Sequence, residues 1–214
     1  MRLILASQSP RRRDLLRMAG IPFDVRPADC DEARVVEHMR EQTPDLDDRS
    51  MVEQLALAKA MTVARRHPNH VILAADTVVT LDGVVYGKPV DPDDARRMLR
   101  TLAGNTHIVD TGVAIVAPDR SDVFSSVSRV TFRPRTPALD RLIDRYVATG
   151  DPLDKAGAYG IQELGGLLIE HIDGDFFAVM GLPIAEVYAR LQAYDIEGVE
   201  GTSCTMNTSS EQKG

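Results

Sequence analysis

The chain has 214 residues, of which 43% are hydrophobic and 27% charged, and its formal net charge is −7, a composition typical of soluble globular proteins. Aromatic residues make up only 5% and Trp is absent, so the basic stripe and stacking surface of a nucleic-acid-polymer binder are not expected. The two cysteines lack metal or disulfide spacing, the first residues do not resemble a signal peptide, and no apolar run approaches the ~18 residues of a membrane span, so we expect a cytoplasmic protein without a membrane partner.

The first predicted elements are a short buried strand at Leu3–Ala6, a polar loop, and a helix that begins with three arginines. Ser9 is a suitable N-cap, Pro10 suits the first helical position, and Gly20 is a suitable end. Because the N-terminal end of a helix is already positive, the cations Arg11–Arg13 are unfavourable there unless an anion binds. Free N–H groups of the first turn would also contact that anion. The segment therefore predicts a phosphate site, and the alternative is a solvated basic face.

A second short strand is predicted at Phe23–Arg26, and a polar, acidic segment follows over residues 27–49. The capping box Ser50–Glu53 then predicts the start of a helix that ends before Pro68. Lys59 is the only charge on the apolar face of this helix. Such a lysine either extends to solvent or meets an anion.

An apolar run at Val71–Ala75 predicts a central buried strand that ends in Asp76-Thr77, followed by a hairpin around Asp82-Gly83. Asp76 would then stand at the carboxyl end of a strand, where α/β sheets place ligands and catalytic groups. It is a candidate base or metal ligand, and the alternative is a turn aspartate. Lys88 precedes a proline that holds it in an extended conformation. It is a candidate phosphate ligand, and the alternative is a charge at the end of the hairpin.

The rest of the chain predicts alternating helices and long strands in a mixed α/β fold. These elements are a helix from Asp91 to Leu102, strands His107–Val116 and Val123–Phe132, a helix from Thr136 to Gly150, a strand Leu167–Ile172 and a helix from Pro183 to Tyr194. We expect one domain over residues 1–195. Residues 196–214 are Gly/Ser/Thr-rich and predict a disordered tail.

Two further features suggest a nucleotide site. Glu32 lies in an acidic patch and could pair with Asp76 to hold Mg²⁺, which takes one or two carboxylates together with phosphate oxygens; the alternative is a solvated loop. The Gly/Ala-rich segment Lys155–Gln162 would let backbone approach a ligand closely. The amide of Gln162 can pair with a base as donor and acceptor, although a flexible loop is the alternative.

These segments, taken together, resemble the Maf family of nucleotide pyrophosphatases over about residues 1–194. The resemblance rests on several separated motifs in order: Leu5-Ala6-Ser7-Gln8-Ser9-Pro10-Arg11-Arg12, Ala75-Asp76-Thr77-Val78-Val79, Gly87-Lys88-Pro89, Asp151 through Gln162, and Val179-Met180-Gly181-Leu182-Pro183. One departure is the third arginine, Arg13, which we interpret as added surface charge.

The resemblance implies an elongated, two-lobed mixed sheet like that of the inosine triphosphatase group. It also implies hydrolysis of a nucleoside triphosphate to the monophosphate and pyrophosphate with Mg²⁺ or Mn²⁺, and a homodimer. Family positions that match Arg11, Thr77 and Gln162 mark the branch that acts on dTTP and UTP. Two alternatives stay open: the same reaction on modified nucleotides such as 7-methyl-GTP, and a non-catalytic nucleotide sensor in division control, since the family has been linked to septum inhibition.

The resulting hypothesis assigns the site residues as follows. Asp76 is the proton acceptor by resemblance, and it and Glu32 are the metal ligands. The predicted catalytic residues are Asp76, Lys88 and Glu32, and the predicted substrate-binding residues are Ser7, Ser9, Arg11, Arg12, Lys59, Thr77, Lys155 and Gln162.

Overall fold

The computed structural model describes residues 1–43 and 45–196. Its strands are β1 (Leu3–Leu5), β2 (Phe23–Val25), β3 (Val71–Leu81), β4 (Val84–Val85), β5 (Thr106–Val116), β6 (Ser121–Phe132) and β7 (Ile169–Asp173). Its α-helices are α1 (Pro10–Met18), α2 (Glu32–Gln42), α3 (Asp48–Ala64), α4 (Pro92–Leu102), α5 (Pro137–Ala148), α6 (Phe176–Val179) and α7 (Ile184–Leu191). Short 3-10 turns lie at Asp151–Asp154, Ala156–Ala158, Leu164–Leu168 and Gln192–Tyr194. Apart from Ile196, the predicted tail lies outside the described residues.

The strands form one mixed sheet in the order β2-β1-β3-β5-β6-β7, with β4 paired to the far end of β3. Strand β1 runs parallel to β2 and to β3, and the other pairs are antiparallel. The predicted mixed α/β class is confirmed.

Strand β3 has a gap along one of its edges. On that edge β1 pairs only as far as Leu73, and β4 returns to pair with Thr80 and Leu81. On the opposite edge β5 pairs with β3 continuously from Ile72 to Thr80. The middle of β3 is therefore held firmly on one side and is open on the other, which leaves space for a site at the end of β1.

Asp76 lies in this gap, in the middle of β3 and not at the end of a strand. The prediction that the strand stops at Asp76-Thr77 is wrong, because β5 pairs with both residues and the continuous ladder overrides their low strand propensity. The Asp82-Gly83 turn is confirmed, and both of its residues have positive φ. Asp76 still lies beyond the carboxyl end of a parallel strand, but that strand is β1.

The helices cover the two faces of the sheet differently. Helix α3 packs on one face through small residues such as Ala56 and Ala60. On the other face, α1 and α7 pack around one hydrophobic cluster, and α4 and α5 pack around a second. Ala75 belongs to the first cluster and Val79 to the second. The two clusters form two lobes, and Thr77 lies between them because alternate strand residues share a face.

One helix start differs from the prediction, and one helix was not predicted. The capping-box assignment is wrong, since α3 begins at Asp48 with Asp47 as N-cap; the Asp47 carboxylate accepts hydrogen bonds from the Ser50 N–H and hydroxyl. The acidic segment contains a helix, α2, whose N-cap is Asp31. Glu32 is therefore the first helical residue of α2 and not part of a loop, although its side chain is 58% exposed. Its helix packs against α3.

Candidate active site

One cavity of about 580 Å³ lies between the two lobes, at the gap in the edge of β3. All eleven residues predicted for the site line it: Ser7, Ser9, Arg11, Arg12, Glu32, Lys59, Asp76, Thr77, Lys88, Lys155 and Gln162. They come from α1, α2, α3, β3 and three loops: the β1–α1 loop, the β4–α4 loop and the segment that follows α5. The structure thus brings the predicted residues together, while their individual roles stay predictions.

The centre of the cavity is a lysine bound to two carboxylates. The Lys59 ammonium donates to Asp76 Oδ1 at 2.5 Å and lies 2.8 Å from Glu32 Oε1. The side chain of Lys59 is only 10% exposed. Of the two alternatives for this lysine, contact with anions is therefore the one observed, although the anions belong to the protein. A single cation partly neutralises two acids that would otherwise repel each other.

Arg12 is tied to the protein at four points. Its Nε donates to the Gly181 carbonyl at 2.8 Å, one terminal nitrogen donates to Ala75 O and Ser7 Oγ, and the other donates to Thr77 Oγ1. Burial lowers the pKa of the guanidinium, and the Asp76 charge opposes this shift. Since a guanidinium has five N–H groups, one is left for a ligand. Arg12 closes the gap in β3 and supplies charge from behind the cavity.

Arg11 and Lys155 share one acidic partner, which the sequence analysis did not single out. Arg11 lies 3.3 Å from one Asp154 oxygen and Lys155 lies 2.8 Å from the other. Burial raises the pKa of Asp154, but the Lys155 hydrogen bond and the Arg11 charge outweigh burial, and the net shift is downward. Lys155 also donates to the Asp151 carbonyl and lies 3.5 Å from Glu163. Its first role is therefore to hold its own loop.

Thr77 is also held by a residue that the sequence analysis missed. Its hydroxyl lies 3.0 Å from that of Thr111 on β5, and Thr111 donates to the Ala178 carbonyl at 2.8 Å. Thr111 is fully buried. A threonine in a predicted apolar strand gives no local signal of such a role, because only the pairing of β3 with β5 brings it behind Thr77.

The remaining predicted residues surround the cavity. Ser9 is the N-cap of α1, as predicted, and its N–H donates to Ser7 Oγ at 3.2 Å. Lys88 and Gln162 are exposed at the cavity mouth. The loop that carries Gln162 is anchored where the Gly160 N–H donates to the Tyr146 hydroxyl at 3.0 Å. Burial raises the pKa of Tyr146 to about 12, so this anchor is neutral near pH 7.

The carboxylates that line the cavity supply only part of the ligands that a divalent metal needs. Among residues 1–43 and 45–196, no group of three or more His, Cys, Asp or Glu side chains could hold an ion. Asp76 and Glu32 line the cavity and each has a second carboxylate oxygen beside the one that faces Lys59. Two carboxylates plus phosphate oxygens are a usual Mg²⁺ environment. The residues therefore fit a metal that is completed by a bound phosphate chain.

Comparisons with known proteins agree over nearly the whole chain. Residues 2–194 match the family model described as Maf-like protein. The chain is 42% identical over 197 residues to a dTTP/UTP pyrophosphatase of Bacillus cereus (strain B4264), covering 92% of this chain and 97% of that protein. It is 44% identical over 195 residues to a protein of the same name from Bacillus mycoides (strain KBAB4), with coverage of 91% and 96%.

One further comparison carries less weight. The solved structure of the Staphylococcus aureus Ham1 protein covers 65% of this chain and 83% of its own, with 14% identity and a TM-score of 0.41, values too low to bear on function. No helix in the described part of the chain has the length and apolarity of a membrane span. The match to the family model and the identity to its members are both extensive, and the chain belongs to the Maf family.

Proposed function

We propose that this protein hydrolyses dTTP and UTP to the nucleoside monophosphate and pyrophosphate, with Mg²⁺ or Mn²⁺. The coarser statement, that it is a nucleoside triphosphate pyrophosphatase, follows from family membership and from relatives at 42% identity. One observation supports the finer proposal: Arg11, Thr77 and Gln162 line the same cavity as the Lys59–Asp76 pair. By the family resemblance, these three match the positions that mark the dTTP/UTP branch.

The cavity is suited to a polyphosphate because its cations lie on several sides. Arg11 and Lys88 line it, and the N-terminus of α1 adds the N–H groups and partial positive charge of a helix start. The phosphates compete with Asp154 for Arg11, since that ion pair is partly exposed and weak. This competition favours a ligand with several negative charges over one with a single charge.

In the proposed reaction, Asp76 accepts a proton from the attacking water. Its Oδ1 is bound by Lys59, which holds the carboxylate in one orientation, and its second oxygen can accept. Lys59 stabilises the negative charge that gathers as water attacks the α-phosphorus. Pyrophosphate then leaves among the cations that line the cavity, and Arg12 holds the wall behind it.

The metal would be held by Glu32 and Asp76 together with phosphate oxygens. When bound, it would neutralise phosphate charge and increase the electrophilicity of phosphorus. The hard oxygen donors of this site support Mg²⁺ or Mn²⁺ over softer ions. Cytoplasmic location, homodimer formation and the absence of a nucleic-acid partner stay predictions from the sequence.

The test is pyrophosphate release from dTTP, UTP, CTP, ITP and 7-methyl-GTP with Mg²⁺ or Mn²⁺. We expect fast release from dTTP and UTP, none without metal, and a large loss in Gln162→Glu, whose added negative charge and lost amide donor disfavour the same base edge. Preference for 7-methyl-GTP would overturn the assignment to this branch. Tight nucleotide binding with no release from any substrate would favour the sensor.

A further inference from the structure

At the base of the cleft between the two lobes, Thr77 lines the cavity and Thr111 lies buried behind it. Thr77 on β3 and Thr111 on β5 are directly opposite each other. On this face the preceding and following residues of each strand, such as Ala75 and Val79, belong to separate hydrophobic clusters. A polar pair thus lies where the two hydrophobic clusters separate, with Thr111 fully buried and Thr77 half-buried. Buried hydroxyls are stable only when they are hydrogen-bonded.

The direction of each hydrogen bond in this pair can be deduced. The Ala178 carbonyl can only accept, so Thr111 donates its single hydroxyl hydrogen to it. The bond between the two hydroxyls must then be donated by Thr77 to Thr111. Thr77 in turn accepts from a terminal nitrogen of Arg12. Thr77 has no hydrogen left and offers only a lone pair towards the cavity.

Thr111 therefore acts on two walls of the cavity at once. Through Thr77 it reaches Arg12, which closes the gap in β3. Directly, it holds Ala178 in the short helix α6, whose following residues run to Gly181. Arg12 also donates to the Gly181 carbonyl at 2.8 Å. The two walls are thus joined in a ring of hydrogen bonds, with Thr111 as the buried member that does not line the cavity.

We infer that Thr111 is a positioning residue of the pyrophosphatase, because its buried hydroxyl orients Thr77 and Arg12 on one wall and Ala178 on the other. Without it, Thr77 regains a free hydrogen and can turn away from Arg12. The Ala178 carbonyl loses its side-chain donor and keeps only backbone N–H donors such as that of Gly181. The inference rests on the proposed function, since its main readout is hydrolysis of dTTP.

The experiment compares Thr111→Val, which keeps the shape and removes the hydroxyl, with Thr111→Ser, which keeps the hydroxyl. Thr77→Val and the double variant complete a mutant cycle. Thr106→Val is the matched control: it lies on the same strand and loses a similar hydroxyl pair with Thr131, at 2.8 Å, away from the cavity. Steady-state kinetics with dTTP and calorimetric binding of the non-hydrolysable α,β-methylene dTTP are measured, with thermal unfolding alongside.

We expect Thr111→Val to lower kcat/KM and analogue affinity about 10- to 100-fold, as for loss of a buried hydrogen bond that positions a charged group. Thr111→Ser should stay within about threefold of the unsubstituted protein, and the double variant should be no worse than Thr77→Val. Thr106→Val should match the unsubstituted protein.

Three results would overturn the inference: near-normal kinetics and binding in Thr111→Val, equal impairment of the Ser and Val variants, or additive losses with Thr77→Val. A protein that hydrolyses none of the nucleotides fails the proposed function instead, and the binding measurements still test the ring. If Thr111 had a purely structural role, Thr111→Val would lower the unfolding temperature, and the mutant cycle would show no coupling to Thr77 in kinetics or analogue binding.

Discussion

The ammonium of Lys59 lies 2.5 Å from Asp76 Oδ1 and 2.8 Å from Glu32 Oε1, so one buried cation holds together two carboxylates from different elements. Helix α3 supplies the lysine, β3 supplies Asp76 and the first residue of α2 supplies Glu32. The ion pair orders the acids before any ligand binds. It also makes Lys59, and not only the acids, a determinant of how the site takes up a divalent metal.

Replacing Asp76 with Asn is expected to lower kcat by about 10²- to 10⁴-fold, the usual contribution of a general base. The amide keeps the size of the side chain but cannot accept a proton from water. Because Lys59 retains Glu32 as a partner and the amide oxygen can still accept from it, thermal stability should fall less than when the lysine itself is removed. Pyrophosphate release measures the change in kcat, and differential scanning calorimetry measures the change in thermal stability. A kcat above a tenth of that of the unsubstituted protein would show that Asp76 is not the base.

Replacing Lys59 with Met keeps the length of the side chain and removes the shared cation. Breaking a buried charge pair by removing one partner destabilises a fold by about 3–5 kcal/mol. Removing a charge that stabilises the transition state also lowers kcat/KM, by an expected ~30-fold or more for about 2 kcal/mol. Part of this loss should be recovered at high Mg²⁺, because the metal can neutralise Asp76 and Glu32. Lys59→Arg, which retains the charge, is the control. A loss independent of Mg²⁺ would show that the lysine does more than neutralise the acids.

Asp110 is expected to make the protein less stable as the pH rises. Its side chain is 3% exposed and one oxygen has no hydrogen-bond partner among the described residues. Burial raises its pKa to about 6; Arg49 opposes this shift, while Glu53, Asp48 and Asp47 add to it. A pKa that is higher in the folded than in the unfolded protein adds stability at low pH. This stability is fully present below the unfolded pKa of 3.8 and is lost as the pH rises through the folded pKa of about 6.

The variant Asp110→Asn should therefore be more stable than the unsubstituted protein at pH 8, by at most about 3 kcal/mol for a shift of this size. The difference should shrink towards pH 4.5. Urea unfolding at several pH values measures it, and Asp24→Asn, at an exposed position on β2, serves as the control. An equal effect of Asp110→Asn on the unfolding free energy at both pH values would contradict a raised pKa of Asp110 in the folded protein.

Gly112 is expected to be intolerant of any side chain. A Cβ at this position would lie 2.4 Å from the backbone carbon and oxygen of Val52 and 2.6 Å from the nitrogen of Glu53. Helix α3 can approach β5 this closely only because Gly112 has no side chain. Gly112→Ala should destabilise the fold by about 1–3 kcal/mol, as overpacking does, and should weaken activity, because the displaced helix carries Lys59.

The control for this prediction is Gly87→Ala, since a Cβ there meets nothing within 4 Å. Its unfolding free energy should stay within about 0.5 kcal/mol of normal, as for most surface substitutions. Denaturant unfolding compares the two variants, and similar losses in both would indicate a general cost of replacing glycine.

Several elements were predictable because their signals lie within a few residues. Three predictions of this kind are confirmed: the Ser9-Pro10 start of α1, the starts of α4 and α5 at Asp91 and Thr136, which the structure shows to be N-caps, and the Asp82-Gly83 turn. Each uses a side chain that caps its own helix or a residue suited to positive φ. The strand start at Ile169 differs from the predicted Leu167, since a 3-10 turn over Leu164–Leu168 precedes it.

The sequence by itself determined the local elements and, through its separated motifs, which residues belong to one site. Only the tertiary structure decided that β3 continues through Asp76, that α2 presents Glu32 to Lys59, and that Thr111 lies behind Thr77. The physical reason is the range of the interactions. Caps and turns depend on neighbouring residues, whereas strand pairing, shared ion pairs and buried hydroxyl contacts join residues distant in the chain, whose partners local patterns do not specify.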